Sequence, residues 1–241
     1  MNKPLIVITG ASSGFGAEIA KIFNQAGYPE LLLGRRVEKI QALPLNFENV
    51  MIESVDVTNQ AQFKTAIDHA EAKFGPVDLL FNNAGVMLLG NVTTQSPTEW
   101  QTMLDTNVMG VLNGTQIVLP SMLECEHGTI INMSSLAGKK TFVNHAAYVA
   151  SKFGVHGLSE TIREEVSGKN VRISMVAPGA AELLTHVTDQ NALVDYGEWK
   201  KSMGGITMDP KHVAESVKFI YDMPQAVNIR ELAIAATRQD S

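Results

Sequence analysis

The chain has 241 residues, 45% of them hydrophobic and 18% charged, and a formal net charge of −6. This length and composition are typical of a soluble α/β domain that can bury a large core, and the acidic balance argues against a nucleic-acid partner. The single cysteine, Cys125, excludes an intramolecular disulfide, and the six histidines are too scattered to indicate a metal site.

The chain shows no signal for export or for membrane insertion. No apolar stretch reaches the roughly 20 residues that a membrane helix needs. The start, Met1-Asn-Lys-Pro4, leads directly into an apolar run without a signal peptide. We therefore expect a cytoplasmic protein with no membrane segment.

The first predicted elements form a strand, a glycine turn and a helix. The apolar run Leu5–Thr9, rich in β-branched residues, predicts a buried parallel strand. Gly10, Gly14 and Gly16 then allow the backbone to turn tightly and to approach a ligand, and the periodicity of Ala17–Ala26 predicts a helix. Because a helix N-terminus attracts anions, this turn predicts a pyrophosphate site and therefore a nucleotide cofactor.

Two other interpretations of this turn stay open from the local sequence. The glycine spacing is Gly-x-x-x-Gly-x-Gly rather than the common Gly-x-Gly-x-x-Gly, so the segment could be a tight turn without chemistry. The same residues, Gly10-Ala-Ser12-Ser-Gly14, also match the nucleophile elbow of a hydrolase, in which Ser12 would be the nucleophile.

Strand-like and helix-like segments alternate along the rest of the chain. The predicted strands are Leu5–Thr9, Glu30–Leu33, Val50–Ser54, Leu79–Asn82, Thr129–Met133, Arg172–Val176 and Glu231–Ala235. The predicted helices are Ala17–Ala26, Gln60–Phe74, Thr98–Cys125, Ala146–Ser167 and Pro210–Asp222. This alternation predicts a single doubly wound, Rossmann-like α/β domain over residues 1–241, with a parallel sheet of about seven strands and helices on both faces.

One long irregular region runs from Pro178 to Met208. It follows a predicted strand end, which is where such sheets bind ligands. A loop of this length inside a compact domain is usually functional. We therefore expect residues 178–208 to form a substrate loop or lid.

The end of the second strand indicates which nucleotide is bound. Arg35 and Arg36 follow the strand about 20 residues after the glycines, and no carboxylate is present there to accept a hydrogen bond from a ribose 2′-hydroxyl. Guanidinium groups bind phosphate well, so the pair predicts a 2′-phosphate and therefore NADP(H). The alternative is two solvated arginines that pair with Glu38.

Tyr148 and Lys152 are spaced so that they share one face of a helix. A free phenol titrates at about pH 10, and a neighbouring ammonium lowers that pKa, so the pair predicts an acid–base unit. A second copy of the spacing, Tyr196 and Lys200, contains a glycine and lies in the irregular region, which favours Tyr148. Ser135 follows a strand end, where its hydroxyl could bind a substrate carbonyl oxygen or only cap a turn.

These features occur together in a familiar order. They are the loop Thr9–Gly16, Asp56-Val57-Thr58, Asn82-Asn83-Ala84-Gly85, Asn107, Ser135, Tyr148 with Lys152, and Pro178-Gly179. Over essentially the whole chain, the set resembles the short-chain dehydrogenase/reductase family. The stretches Leu33–Arg36, Thr207–Val217 and Met223–Ile229 further resemble NADP-dependent 3-hydroxy acid dehydrogenases.

The resemblance implies a role for each matching residue. Tyr148 would exchange the proton, Ser135 would orient the carbonyl, Lys152 would bind the nicotinamide ribose and lower the pKa of Tyr148, and Asn107 would help to hold a water in the proton relay. The implied cofactor-binding residues are Gly10, Ser12, Ser13, Gly14, Phe15, Gly16, Arg35, Arg36, Asp56, Val57, Asn83, Ala84, Gly85, Tyr148, Lys152, Pro178 and Gly179.

The chain departs from the family after Pro178-Gly179. The family usually has a threonine a few residues further on, whose hydroxyl helps to hold the nicotinamide carboxamide. Here Ala180 and Ala181 follow directly, the loop is about two residues shorter, and the next threonine is Thr185. The departure bears on cofactor affinity and on closure of the lid.

The resemblance implies an NADP(H)-dependent oxidoreductase that interconverts a small-molecule carbonyl and a secondary alcohol. A nucleotide-sensing or structural protein that has lost catalysis is the alternative, and a hydrolase using Ser12 is the third. The family also implies a homo-oligomer, a dimer of dimers in which helices 98–125 and 146–167 pair with their copies. Their apolar residues include Val108, Val111, Leu112, Val118, Phe153, Val155, Leu158 and Ile162.

Overall fold

A computed structural model of the chain describes residues 3–181, 194, 196–198, 200–201, 205 and 207–239. Its strands form one parallel sheet in the order β3-β2-β1-β4-β5-β6-β7. The strands are Leu5–Thr9 (β1), Glu30–Leu33 (β2), Val50–Glu53 (β3), Val77–Asn82 (β4), Thr129–Met133 (β5), Arg172–Pro178 (β6) and Glu231–Ile234 (β7).

Helices cover both faces of this sheet. The α-helices whose bounds the structure describes are Gly14–Gln25 (α1), Val37–Gln41 (α2), Gln60–Phe74 (α3), Pro97–Leu104 (α4), Gly110–Cys125 (α5), Ala146–Glu165 (α6) and Pro210–Asp222 (α7). The predicted doubly wound α/β fold is therefore confirmed. That all of residues 1–241 form one domain stays a prediction.

Alternate residues of the central strand pack against different helix layers. Ile6 and Ile8 of β1 lie in one core cluster with residues of α1 and α7, whereas Leu5 and Val7 lie in a second cluster with residues of α3, α5 and α6. All four side chains are fully buried. A strand that is buried on both faces needs a continuous apolar run, which explains the succession of apolar residues from Leu5 to Ile8.

The direction in which the chain winds reverses at β1. This strand pairs with β2 on one side and with β4 on the other, so the connections leave its carboxyl end in opposite directions. Such a switch point opens a crevice at the carboxyl edge of a parallel sheet, and ligands of this architecture bind there.

The predicted helix 98–125 is wrong in one respect. The structure divides it into α4 and α5, with a π-helical turn over Asp105–Met109 between them. Within the turn, Asn107 accepts a hydrogen bond from Val86 N at 2.8 Å and donates one to Val86 O at 2.9 Å. Single π turns inside α-helices often mark functional sites, and these contacts tie the turn to the loop after β4.

Other differences lie at short elements and element ends. Helix α2 has only five residues, too few for a periodic pattern, and was not predicted. Strand β6 continues through Pro178, two residues beyond its predicted end. The prediction of a lid over 178–208 falls mostly on residues 182–193 and 202–204, which lie outside the described residues, as does Thr185.

No helix in the described part of the chain is both long enough and apolar enough to cross a membrane.

Candidate active site

A cleft of about 1060 Å³ runs along the carboxyl edge of the sheet. A residue at or just beyond the end of each of six neighbouring strands lines it. These residues are Gly10, Gly34, Val55, Asn83, Ser134 and Pro178. The crossing connections of a parallel sheet bring these positions together although they are far apart in the sequence.

Most of the residues predicted from the sequence meet in this cleft. Its lining contains Gly10, Ser12, Ser13, Gly14, Phe15, Arg35, Arg36, Asp56, Val57, Asn83, Ala84, Gly85, Ser135, Tyr148, Lys152, Pro178 and Gly179. Two predicted residues, Gly16 and Asn107, do not line it and are buried beside it.

The glycine turn is shaped by close packing against the loop after β4. Gly10 and Gly14 have φ values of +66° and +56°, a conformation that glycine adopts without strain. A Cβ at Gly10 would lie 2.9 Å from Ala84 Cα, and one at Gly16 would lie 2.6 Å from Asn83 Nδ2. Gly16 therefore allows the two loops to pack closely.

Thr9 and Asn83 join the same two loops by hydrogen bonds. Thr9 Oγ1 accepts from Asn83 N at 2.9 Å and from Ala84 N at 3.0 Å. Asn83 Nδ2 donates to Thr9 O at 2.9 Å. The floor of the cleft is thus rigid at the point where the sheet reverses direction.

The N-terminus of α1 opens into the cleft. Ser13 is its N-cap residue, but no side chain caps the first turn, and that turn contains no acidic residue. Ser13, Gly14 and Phe15 all line the cleft. Uncapped N–H groups at the start of a 12-residue helix form a site for a phosphate group.

Arg36 extends from the end of β2 to this turn. Its Nη2 donates to Ser12 Oγ at 3.2 Å and to Ser13 Oγ at 3.1 Å, which places the guanidinium charge beside the helix N-terminus. Arg35 is exposed next to it. The hydrolase interpretation of Ser12 gains no support here, because the hydroxyl accepts from a guanidinium rather than donating to a base.

Asp56 also lines the cleft, at the end that contains Arg35 and Arg36. Its Oδ1 accepts from Thr58 N at 3.0 Å and from Thr58 Oγ1 at 2.8 Å. Burial acts to raise its pKa, but these two hydrogen bonds and the charge of Arg35 outweigh burial and hold the pKa below its ordinary value. The carboxylate is therefore ionised and can accept a hydrogen bond from a ligand.

Ser135, Tyr148 and Lys152 meet at the opposite end of the cleft. Ser135 follows β5, and its hydroxyl lies beside Tyr148, whose pKa it acts to lower. Tyr148 and Lys152 project from α6, with Lys152 Nζ 5.8 Å from the centre of the tyrosine ring. Lys152 is only 4% exposed and donates to Met133 O at 2.8 Å.

The pKa of Tyr148 changes in the direction opposite to that predicted. Burial raises the pKa of Tyr148 to about 12, against the smaller effect of the Ser135 hydrogen bond, and Tyr196 raises it further. Burial also lowers the pKa of Lys152 to about 8, because the ammonium lies among apolar and backbone groups. In this structure removal from water outweighs the attraction between the two side chains.

Asn107 holds the backbone beside the reacting groups. Its side chain is 1% exposed, and besides its two bonds to Val86 it donates to Ser151 Oγ at 3.0 Å. A Cβ at Gly85 would lie 3.2 Å from Asn107 Oδ1 and 3.7 Å from Lys152 Nζ. The side chain of Asn107 thus links α6 to the loop after β4.

Many other lining residues were not predicted as part of the site, and three of them bear on its chemistry. His145 lies one turn before Tyr148; its Nδ1 lies 2.6 Å from Val143 O, which requires a proton on that nitrogen, and burial lowers its pKa. Tyr196 belongs to a helical stretch, residues 196–198, and not to an irregular one. Gln239 comes from the C-terminal segment, and no motif marks it.

Among the described residues, no group of three or more histidine, cysteine or acidic side chains could hold a metal ion.

Comparisons with known proteins agree with this geometry. The family profile described as "short chain dehydrogenase" matches residues 4–192. An uncharacterized oxidoreductase of Listeria monocytogenes is 35% identical over 98% of this chain and 97% of its own. An uncharacterized oxidoreductase of Staphylococcus saprophyticus is 32% identical over 98% and 96%.

Solved structures give the same result. The closed form of a serine dehydrogenase complexed with NADP+ has a TM-score of 0.89 at 32% identity, over 98% of this chain and 96% of that one. Serine dehydrogenase from Escherichia coli has a TM-score of 0.84 at 31% identity, over 98% and 100%. On the sequence match, the fold and the cleft together, the chain belongs to the short-chain dehydrogenase family.

Proposed function

We propose that the protein is an NADP(H)-dependent oxidoreductase that interconverts a carbonyl group and a secondary alcohol on a small molecule. One observation carries the proposal. A single continuous cleft has an uncapped helix N-terminus with Arg35 and Arg36 at one end, and Ser135, Tyr148 and Lys152 at the other. This arrangement matches a ligand with a phosphate-bearing end and a reacting end.

The phosphate-bearing end fits a nucleotide that carries a 2′-phosphate. The N–H groups of the first turn of α1 would hold the pyrophosphate. Arg35 and Arg36 would hold the 2′-phosphate, and the ionised Asp56 would accept from the adenine, with Val57 beside it. Structures of similar proteins support this choice of cofactor, because a serine dehydrogenase has been solved with NADP+ and a metagenomic short-chain oxidoreductase with NADP.

The reacting end fits proton transfer to a carbonyl oxygen. NADPH, when bound, supplies the hydride that the carbonyl carbon receives. Tyr148 Oη would donate its proton to the carbonyl oxygen in the same step, and a proton from solvent would then restore the phenol. Ser135 Oγ would donate a second hydrogen bond to that oxygen and fix its position.

The raised pKa of Tyr148 suits the donor role. With a pKa of about 12, the phenol is fully protonated at neutral pH and ready to donate. In the oxidative direction the phenolate must accept the alcohol proton, and a cationic neighbour favours that form. Lys152, with its ammonium 5.8 Å from the ring centre, would provide this charge and hold the nicotinamide ribose.

The aromatic wall formed by Phe142, His145 and Tyr196 lies next to Tyr148 and would receive the substrate. We infer a small carbonyl compound or its alcohol as the substrate class. The resemblance to 3-hydroxy acid dehydrogenases makes short hydroxy acids the first compounds to test.

Tyr148→Phe tests the chemistry. The wild type should consume NADPH with at least one member of a panel of small ketones, aldehydes and keto acids, followed by NADPH absorbance. The variant should lose more than about 100-fold in turnover, because general acid catalysis contributes on the order of 10²–10⁴. Its affinity for NADPH should stay unchanged, because only one hydroxyl is lost.

Tyr196→Phe is the matched control, since it removes the same hydroxyl from the other tyrosine of the cleft. It should retain most of its turnover. Equal losses in the two variants would contradict the role of Tyr148. Tight NADPH binding without turnover on any carbonyl would instead favour a nucleotide-sensing protein.

A further inference from the structure

Among the described residues of the C-terminal segment, Gln239 reaches into the cleft. Its Oε1 accepts a hydrogen bond from Ala180 N at 2.9 Å. Its own backbone N–H donates to Ala236 O at 2.9 Å, which turns the segment back towards the sheet. Gln239 therefore contacts the segment directly after Pro178-Gly179, where the chain departs from its family.

The approach of Gln239 depends on a glycine. A Cβ at Gly179 would lie 2.8 Å from Gln239 Cδ and 2.9 Å from Ala235 Cβ, both closer than such atoms pack. Gly179 N also donates to Ile234 O at 2.8 Å at the end of β7. Glycine at position 179 thus leaves space for the glutamine side chain.

The segment that Gln239 holds forms the wall of the reacting end. Ser135 Oγ donates to Pro178 O at 3.4 Å, and the same hydroxyl lies beside Tyr148, whose pKa it acts to lower. Ala180 O accepts from Met208 N at 3.0 Å. Gln239 is therefore connected through Ala180, Pro178 and Ser135 to Tyr148, the proposed proton donor.

Residues 180 and 181 offer no side-chain hydroxyl that could fix this wall. Both are alanines with less than 10% of their surface exposed. Backbone groups and an anchor from elsewhere must then hold the segment in place. The amide of Gln239 is such an anchor, because its oxygen accepts a hydrogen bond from Ala180 N at 2.9 Å.

We propose that Gln239 is a positioning residue, which holds the Pro178–Ala181 backbone against the nicotinamide end of the cofactor. This inference rests on the proposed function, since hydride transfer requires the nicotinamide to lie beside Tyr148. The ligand group concerned is the nicotinamide with its carboxamide, and not the adenosine end. The C-terminal segment thereby contributes to cofactor affinity.

A comparison of two nucleotides tests the proposal. NADPH and adenosine 2′,5′-bisphosphate share the phosphate-bearing end, but only NADPH has a nicotinamide. Gln239→Ala should weaken NADPH roughly two- to tenfold, the value of one neutral hydrogen bond, and leave adenosine 2′,5′-bisphosphate unchanged. Both affinities are measured by titration of the full chain.

Two further variants make the result specific. Gln239→Glu keeps an oxygen that can accept from Ala180 N and should restore most of the NADPH affinity. Thr237→Ala removes an exposed side chain from the same segment and should bind both nucleotides as the wild type does. The midpoint of thermal unfolding without nucleotide should be equal in all variants.

Different results overturn different conclusions. If the wild type binds NADPH and Gln239→Ala binds it equally well, the role of Gln239 is wrong. Equal weakening of both nucleotides, or a lowered unfolding midpoint, would also overturn it, because the effect would then be structural. If the wild type binds neither nucleotide, the proposed function fails and this inference falls with it.

Discussion

At the scale of single residues, Arg35 and Arg36 are the pair that we propose to bind the 2′-phosphate of the cofactor. Arg36 already donates to both serines of the glycine turn, so its guanidinium is held beside the helix N-terminus before any ligand binds. Arg35 is exposed, and its charge helps to hold the pKa of Asp56 below its ordinary value. A ligand phosphate at this point would meet two cations that no carboxylate of the turn neutralises.

Replacing both arginines with alanine should weaken NADPH at least 100-fold and change NADH affinity little. Each charge-assisted hydrogen bond contributes about 1.5–3 kcal/mol, and NADH has no 2′-phosphate to lose. Lys39→Ala is the control, because Lys39 carries a nearby positive charge on α2 but does not line the cleft. Wild-type protein that bound both nucleotides equally in a fluorescence titration would rule out this assignment.

The two groups at the reacting end show how burial controls chemistry. Tyr148 and Lys152 share a helix face, as their spacing predicts, yet burial raises one pKa and lowers the other. Both shifts disfavour the charged form of each group. At neutral pH the phenol is therefore uncharged, while Lys152, with a pKa of about 8, remains mostly an ammonium.

At the scale of elements, β2 begins with a buried acid. Glu30 is fully buried at the edge of the core, and only one of its carboxyl oxygens has a partner, Asn24 Nδ2 at 3.0 Å. Burial raises its pKa to about 8, although the Asn24 hydrogen bond acts to lower it. The carboxyl group is therefore protonated in the folded protein at neutral pH.

This pKa makes stability fall with rising pH. Between pH 4.5 and about 8 the unfolded chain releases the Glu30 proton while the folded chain keeps it, so the contribution is complete below pH 4.5 and is lost as the pH rises towards 8. The loss approaches ~1.4 kcal/mol per pH unit. Glu30→Gln should remove this slope and should unfold at higher urea concentration than the wild type at pH 8.

Urea unfolding at pH 5, 6.5 and 8 measures the effect. Glu18→Gln is a suitable control, because Glu18 lies on α1, is partly exposed and pairs with Lys21 at 2.7 Å on the surface. Its effect on stability should be small and nearly independent of pH in this range. A wild-type pH slope that persists in Glu30→Gln would show that other groups cause it.

At the scale of the whole molecule, an apolar face remains on α4, the π turn, α5 and α6. Leu104, Met109, Leu112 and Phe153 are between 36% and 47% exposed. Four other residues that were predicted to lie on this face cannot contact a second copy, because Val111, Val118, Val155 and Ile162 are buried in the core. The surface for self-association is therefore narrower than the sequence predicted.

We predict that this face pairs with a second copy, and that two such dimers form a tetramer. Phe153→Asp should place a charge in the contact and yield smaller particles in light scattering at micromolar concentration. Phe47→Asp is the control, because Phe47 is 41% exposed but lies outside these helices. A wild-type particle of about 26 kDa would exclude the assembly at that concentration.

The sequence by itself determined the order of the strands along the chain, most of the helices, the glycine turn, the arginine pair and the Tyr148–Lys152 spacing. These features depend on local periodicity and on fixed distances along the chain. For the same reason, alternation between strands and helices was enough to predict a parallel sheet with its cleft at the carboxyl edge.

Only the tertiary structure decided the rest. The π turn at Asp105–Met109, the packing role of Gly16 and the contact of Gln239 with Ala180 all depend on neighbours far away in the sequence. The pKa of Tyr148 depends on how completely the fold removes water from it. The spacing of residues along the sequence indicates which side chains can meet. Burial and long-range contacts in the folded protein determine the charge of those side chains and their partners.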